Sequence, residues 1–279
     1  MDSSRGELRR WLGALDFEAD RPWLPASLLI AGFEVSFVVL ASGQAYLEYR
    51  FGLSPVAVLV GVWVVWTLWH SLVFPRRRER YLAYARRPYR SAFVGDIYPW
   101  VTLGFAQMWR PLFNGDELAR ILAGGPLLHA TPVALAAGLT LCIFALLIMV
   151  RAIRTIGIAR AAFLAEFEAT EDFVPVESGI YRAFKHPLFW SGILFSFGLA
   201  LIASTSLAFT LAAINGCYGL LYGRLEDRRL AQVFGDTYTT YAERVPGVPG
   251  YRVLSKAWRP VAAVAAFRRG GRKRAPGRR

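Results

Sequence analysis

Two short polar stretches carry the residue types that could do chemistry. The first is GIYRAFKHPLFWSG, Gly179 to Gly192, where Tyr181, Lys185, His186 and Pro187 stand directly before a long apolar run. The second is RLEDRR, Arg224 to Arg229, where Glu226 and Asp227 follow that same run. An imidazole titrates near neutrality, and ionised carboxylates only accept hydrogen bonds. Together with a cation and a phenol, such groups suit the binding of a polar cofactor. Pro187 fits the first position of a helix, where its missing N–H costs nothing. The backbone N–H groups that follow could meet an anion.

These groups serve one site only if the chain brings them together. Leu188 to Gly223 contains no charge and exceeds the roughly 17–25 residues of one membrane span. Ser204-Thr205-Ser206 divides it, which predicts a tight helical hairpin with its turn there. A hairpin returns the chain to the side it left, so the two clusters are expected to meet at one membrane face. Arg228 to Val245 reads as an amphipathic helix: Leu230, Val233, Phe234, Tyr238, Tyr241 and Val245 recur at spacings of three and four. Gly235 weakens it, and Pro246, Gly247 and Pro249 stop it. Such a helix could lie on the membrane surface and pack over a pocket mouth.

The rest of the chain has the same character. Of its 279 residues 55% are hydrophobic, concentrated in blocks at Ser27–Leu47, Ser54–Phe74 and Thr131–Val150. Each approaches the ~20 residues a helix needs to cross the hydrocarbon core. Ala92–Trp109 is a weaker block, because it carries Asp96 and Pro99. The predicted fold class is all-α: a polytopic integral membrane protein with about six transmembrane crossings, including the C-terminal hairpin. Residues 1–25 form an N-terminal extension with mixed charges and no signal-peptide character. Residues 26–150 are a four-span region, 151–250 the chemistry-bearing region and 251–279 a basic tail.

The net charge of +13 is uneven. PRRRERYLAYARRPYR between the second and third blocks and FRRGGRKRAPGRR near the end hold much of it. Loops rich in Lys and Arg stay cytoplasmic, which predicts cytoplasmic termini. The expected partners of these arginines are anionic lipid headgroups, not nucleic acid. Three histidines and two cysteines have no zinc-like spacing, so no metal is expected. Cys142 and Cys217 read as buried small hydrophobes.

The two polar stretches resemble the isoprenylcysteine carboxyl methyltransferase and phospholipid N-methyltransferase superfamily. The likeness lies in GIYRAFKHPLFWSG and, after the hairpin, EDRRLAQVFGDTYTTYAERVPGVP, and covers about 175–250. Lys185 stands for the family's arginine, Phe189 for a tyrosine, Ile180 for a proline and Asp227 for a glutamate. The front half, at His70-Ser71, Tyr89-Arg90-Ser91 and Trp109-Arg110-Pro111, looks loosely like bacterial methanethiol S-methyltransferases. It also looks loosely like membrane accessory proteins of nitrite and nitric oxide reduction.

The resemblance implies S-adenosylmethionine as cofactor, a lipophilic or small-thiol methyl acceptor, and a bacterial inner (plasma) membrane. His186 and Glu226 would be the catalytic pair. Tyr181, Lys185, His186, Pro187, Glu226, Asp227, Tyr238 and Tyr241 would hold the cofactor: Lys185 on its carboxylate, Glu226 on its amino or ribose groups, the tyrosines on adenine or sulfonium. The alternative is a non-catalytic accessory protein that keeps the scaffold. A transporter is disfavoured, since the polar residues cluster at one face and not at the midplane.

Plainer roles stand beside these. Lys185 and His186 could be interfacial anchors, Glu226 and Asp227 a solvated face paired with Arg228 and Arg229, and Tyr238 and Tyr241 interfacial aromatics. Glu34 and Asp96 lie inside apolar blocks, where an ionisable residue is a functional candidate. His70 reads as an interfacial histidine and His129 as a loop residue. Gly219 and Gly223 suit close helix packing.

Overall fold

The computed structural model describes residues 2–17, 20–125, 130–168 and 175–247. His129, Pro249 and the basic tail 251–279 lie outside them. The described residues are helical, with no strand among them. Helix α1 spans Asp2–Ala14, α2 Trp23–Phe51, α3 Pro55–Leu68, α4 Phe74–Tyr84, α5 Pro88–Ala92, α6 Tyr98–Ala106, α7 Gly115–Leu122, α8 Pro132–Ile156, α9 Ile158–Ala161, α10 Pro187–Ala203 and α11 Ser206–Arg244.

The boundaries follow local chemistry. Gly52 takes a left-handed conformation (φ 63°) and its N–H closes α2 on Glu48 O. Two residues later the Ser54 hydroxyl caps α3, with Pro55 at its first position. Thr131 and Pro132 start α8 in the same way. The hairpin turn is minimal: Ser204 is left-handed (φ 55°), and Thr205 caps α11 by accepting from Ala208 N at 3.2 Å.

Two wide π turns interrupt the front half, Trp69–Val73 and Phe93–Ile97. Pro75 and Pro99 follow them. A proline removes one helical hydrogen bond and crowds the carbonyl four residues back; a wider turn relieves both. The two turns face each other, with Trp69 Nε1 donating to Asp96 Oδ1 at 3.2 Å.

Four helices are long and apolar enough to cross a membrane: Trp23–Phe51, Pro55–Tyr84 (α3, π turn and α4 together), Pro132–Ile156 and Ser206–Arg244. With α10 as a shorter apolar helix, the chain is a membrane protein. The expected count of about six rests further on α10 and on the interrupted run 88–109. That run is antiparallel to α3, since Trp66 Nε1 donates to Trp100 O at 2.8 Å while Trp69 meets Asp96. Outward faces carry exposed Val35, Val39, Val64, Leu139, Ile143 and Leu220, side chains a bilayer would cover.

α8 and α10 pack antiparallel through small residues. A Cβ on Gly198 would lie 2.5 Å from Cys142 Sγ, and one on Gly138 2.7 Å from Gly198 O. Asn215 ties the centre together. It accepts from Trp63 Nε1 at 2.9 Å and donates to Gln107 O at 2.8 Å and Ser196 Oγ at 2.9 Å. At the end farthest from the Lys185 cluster, buried Arg110 pairs with buried Glu48, whose other oxygen accepts from Gly115 N at 2.9 Å.

Several expectations change. The hairpin's second limb does not stop at Gly223. It continues through the predicted amphipathic helix as one element, broken only at Gly235 (φ 58°, ψ −141°). Cys142 is buried as expected, but Cys217 is exposed, because a membrane helix can turn its outer face to lipid. Glu34 is exposed on α2. Asp96 is fully buried and is held by Trp69, by Tyr81 at 2.7 Å and by Arg77 at 2.8 Å, which accounts for its carboxylate structurally. The N-terminal extension contains α1, whose Trp11 donates to Tyr89 OH at 2.9 Å in the core.

Candidate functional site

The hairpin brings the two polar stretches together. Asp227 is the junction: Lys185 Nζ donates to Oδ2 at 2.7 Å, His186 Nε2 lies 2.9 Å from Oδ1, and Tyr238 OH donates to Oδ1 at 2.6 Å. Pro187 opens α10 directly behind His186. A Cβ on Gly223 would sit 3.3 Å from His186 Cδ2, and one on Gly219 2.7 Å from Ile193 Cδ1. Both glycines therefore let α11 approach α10, as their spacing implied.

The break at Gly235 turns the last part of α11 back over this junction. Tyr241 OH donates to Tyr181 O at 3.3 Å. Lys185 N donates to Pro246 O at 3.0 Å, and Trp190 Nε1 to Gly247 O at 3.0 Å. Phe234, Tyr238, Tyr241 and Val245 form one buried cluster. Tyr238 and Tyr241 are thus interior groups, not interfacial anchors. Burial pushes the Tyr181 phenol above its ordinary range.

Glu226 belongs to a second, adjoining network. Its Oε1 accepts from Arg229 Nη2 at 2.6 Å. Its Oε2 accepts from Arg229 Nε at 3.1 Å and Tyr222 OH at 3.1 Å, and lies 3.3 Å from His70 Nε2. Arg229 also pairs with Glu166, whose carbonyl accepts from Arg78. The Glu226 and Arg229 side chains are only 12% and 9% exposed, so this is not a solvated helix face; Arg228, by contrast, is exposed.

Both networks border one cavity of about 260 Å³, just below the roughly 300–1,000 Å³ of small-molecule clefts. Its polar end is lined by Tyr181, Lys185, His186, Glu226, Arg229 and Tyr238. From there it runs between α3, α6, α10 and α11 into an apolar limb lined by Trp63, Trp66, Val101, Phe105, Met108 and Gly192. Of the predicted site residues, Tyr181, Lys185, His186, Pro187, Glu226, Tyr238 and Tyr241 line the cavity. Asp227 stands behind them as their common acceptor.

Sequence reasoning passed over Trp66, Tyr222 and Glu166, and read His70 as an interfacial histidine. His70 is 2% exposed, which corrects that reading. A signal was present: Leu59, Trp63, Trp66 and His70 recur at helical spacing, and all four are buried. Tyr218, Tyr222, Glu226 and Arg229 form the matching stripe on α11. Glu166 carried no such signal, because it sits in a short 3₁₀ turn.

Residues 133–237 match the family model described as phospholipid methyltransferase. This segment covers almost all of α8, α10 and α11 to just past the Gly235 break. Neither the curated proteins nor the solved structures searched gave a match. Residues 133–237 are thus similar to the phospholipid methyltransferase family, part of the isoprenylcysteine carboxyl methyltransferase-like superfamily.

Proposed function

We propose that the protein transfers methyl groups from S-adenosylmethionine to a lipophilic or small-thiol acceptor at the cytoplasmic face of a bacterial inner membrane. The observation that carries this reading is the position of Glu226 and Lys185, together at the polar end of a cavity whose other end is apolar. The residues present fit the cofactor. Oε1 of Glu226 has one protein donor among the described residues and keeps acceptor capacity for an amino or ribose group. Lys185 gives one hydrogen to Asp227 and keeps donors for a carboxylate. The tyrosines at the mouth offer aromatic faces to a sulfonium or to adenine.

S-adenosylmethionine would supply a methyl group activated by the positive sulfur. The chain's part is mainly alignment, which can contribute about 7–11 kcal/mol when reactants are well oriented. His186 has a further part open to it. Asp227 only accepts, so Nε2 of His186 carries a hydrogen, and in the neutral ring Nδ1 is the basic nitrogen. Nδ1 would take the proton that an amine or thiol acceptor sheds; a carboxylate or thiolate acceptor sheds none. The apolar limb supports an acceptor with hydrocarbon character.

A second reading, a non-catalytic accessory protein, draws on Asp227: three side chains already converge on it, as in a purely structural junction. Calorimetry on the purified chain in detergent separates the two. The enzyme reading expects S-adenosylmethionine to bind. It also expects His186→Ala and Glu226→Ala each to weaken binding by about tenfold, the loss of one hydrogen bond to a charged group. A wild type that takes up no S-adenosylmethionine leaves the accessory reading standing.

A further inference from the structure

The family segment 133–237 does not contain the whole wall around Glu226. One contact comes from the front half of the chain, from His70 in the π turn that precedes Pro75. His70 Nε2 lies 3.3 Å from Glu226 Oε2 and 3.4 Å from Tyr222 OH, and Tyr222 OH donates to the same Oε2. An ionised carboxylate only accepts, so Nε2 carries the hydrogen that faces it.

The imidazole has little freedom to do otherwise. Trp66 stacks on it at 5.0 Å and 14° between planes. Phe74 lies parallel on its other side at 6.5 Å, and Tyr222 meets it edge-on at 4.9 Å. Trp66, Tyr222 and Glu226 line the cavity; His70 does not, and reaches a ligand only through them.

We infer that His70 is a positioning residue of this site. Its Nε2–H and the Tyr222 hydroxyl join Arg229 Nε on Oε2 of Glu226, which helps hold the carboxylate's rotation and leaves Oε1, with Arg229 Nη2 as its protein donor, acceptor capacity for the ligand. The inference rests on the cofactor reading above. It assigns part of the site to α3 and the π turn after it, outside the family segment.

The test uses the full chain in detergent, calorimetry with S-adenosylmethionine, and thermal unfolding with and without it. His70→Gln keeps an amide N–H near the position of Nε2. His70→Asn places one nearer Nδ1, and His70→Leu keeps only bulk. The expected result is an affinity within about threefold of wild type for His70→Gln and a loss of about tenfold for His70→Asn and His70→Leu. The ligand-induced rise in unfolding temperature should fall in the same order. Wild-type affinity in His70→Leu overturns the inference. So does an equal loss in His70→Gln and His70→Asn, since the position of the N–H would then make no difference. If His70→Leu does not fold, the Gln and Asn pair decides. A wild type that does not bind overturns the cofactor reading, and the inference with it; normal wild-type binding with indifferent variants overturns the inference alone.

Discussion

His186 Nε2 lies 2.9 Å from Oδ1 of Asp227, although 41 positions separate the two residues in the chain. The contact closes the hairpin at its polar end, and Lys185 and Tyr238 share it. Replacing Asp227 therefore strands three donors at once. Asp227→Ala is expected to cost about 1–3 kcal/mol of stability, the lower part of that range reflecting partial solvent access, and to weaken S-adenosylmethionine binding by about tenfold or more. Thermal unfolding and calorimetry on the purified variant check both. An unchanged unfolding temperature would show that the junction does not hold the hairpin.

The pair Glu48–Arg110 is fully buried, and Glu48 also anchors the start of α7 through Gly115 N. Removing one partner leaves a buried charge without its counterpart, which costs about 3–5 kcal/mol. Arg110→Leu alone should fold poorly. Combining it with Glu48→Leu should recover part of the loss, because the double change removes both desolvated charges. Unfolding in mixed detergent micelles would measure the two variants, and a double variant worse than both singles would contradict the argument.

Gly198 is a packing contact and not a flexible joint. A methyl group there would meet Cys142 Sγ at 2.5 Å and Gly138 O at 2.9 Å, so α8 and α10 would have to separate. Gly198→Ala should destabilise by about 1–3 kcal/mol. Gly32, whose Cβ would meet nothing within 4 Å, is the control, and Gly32→Ala should unfold like wild type. Equal unfolding of the two variants would remove the small-residue account of the α8–α10 contact.

The arginine-rich stretch Arg76 to Arg90 and the tail 251–279 should both face the cytoplasm. Cysteines placed at the exposed Arg80 and at Arg272 should resist a membrane-impermeant thiol reagent in intact cells and react after permeabilisation. The background variant lacks Cys217, which is itself exposed. Labelling of either position from outside would reverse the proposed orientation.

Much of this arrangement was legible in the residues. The uncharged run 188–223 with its Ser-Thr-Ser break predicted a hairpin, and a hairpin forces Lys185 and Asp227 together whatever the rest does. Helical spacing in 228–245 predicted a face that packs, and Phe234, Tyr238 and Tyr241 are on it. The front-half contribution was harder to read. His70 meets Glu226 only because α3 and α11 run side by side, with Trp63 on Asn215 and Thr67 near Tyr218. No local pattern specifies that pairing. The π turns were hidden for another reason: a proline in an apolar block announces a disturbance, not whether the helix will kink, stop or widen.

The return of α11 across the mouth has a consequence for biosynthesis. Tyr241, Pro246 and Gly247 supply contacts that bind the Tyr181–Trp190 stretch, Tyr238 adds one to Asp227, and all four are translated after the other described walls of the cavity. A nascent chain already past the hairpin still has an open mouth, with Lys185 and His186 facing Asp227 but uncovered. The polar recess gains this part of its wall from a segment that leaves the ribosome after the rest of the described wall is made.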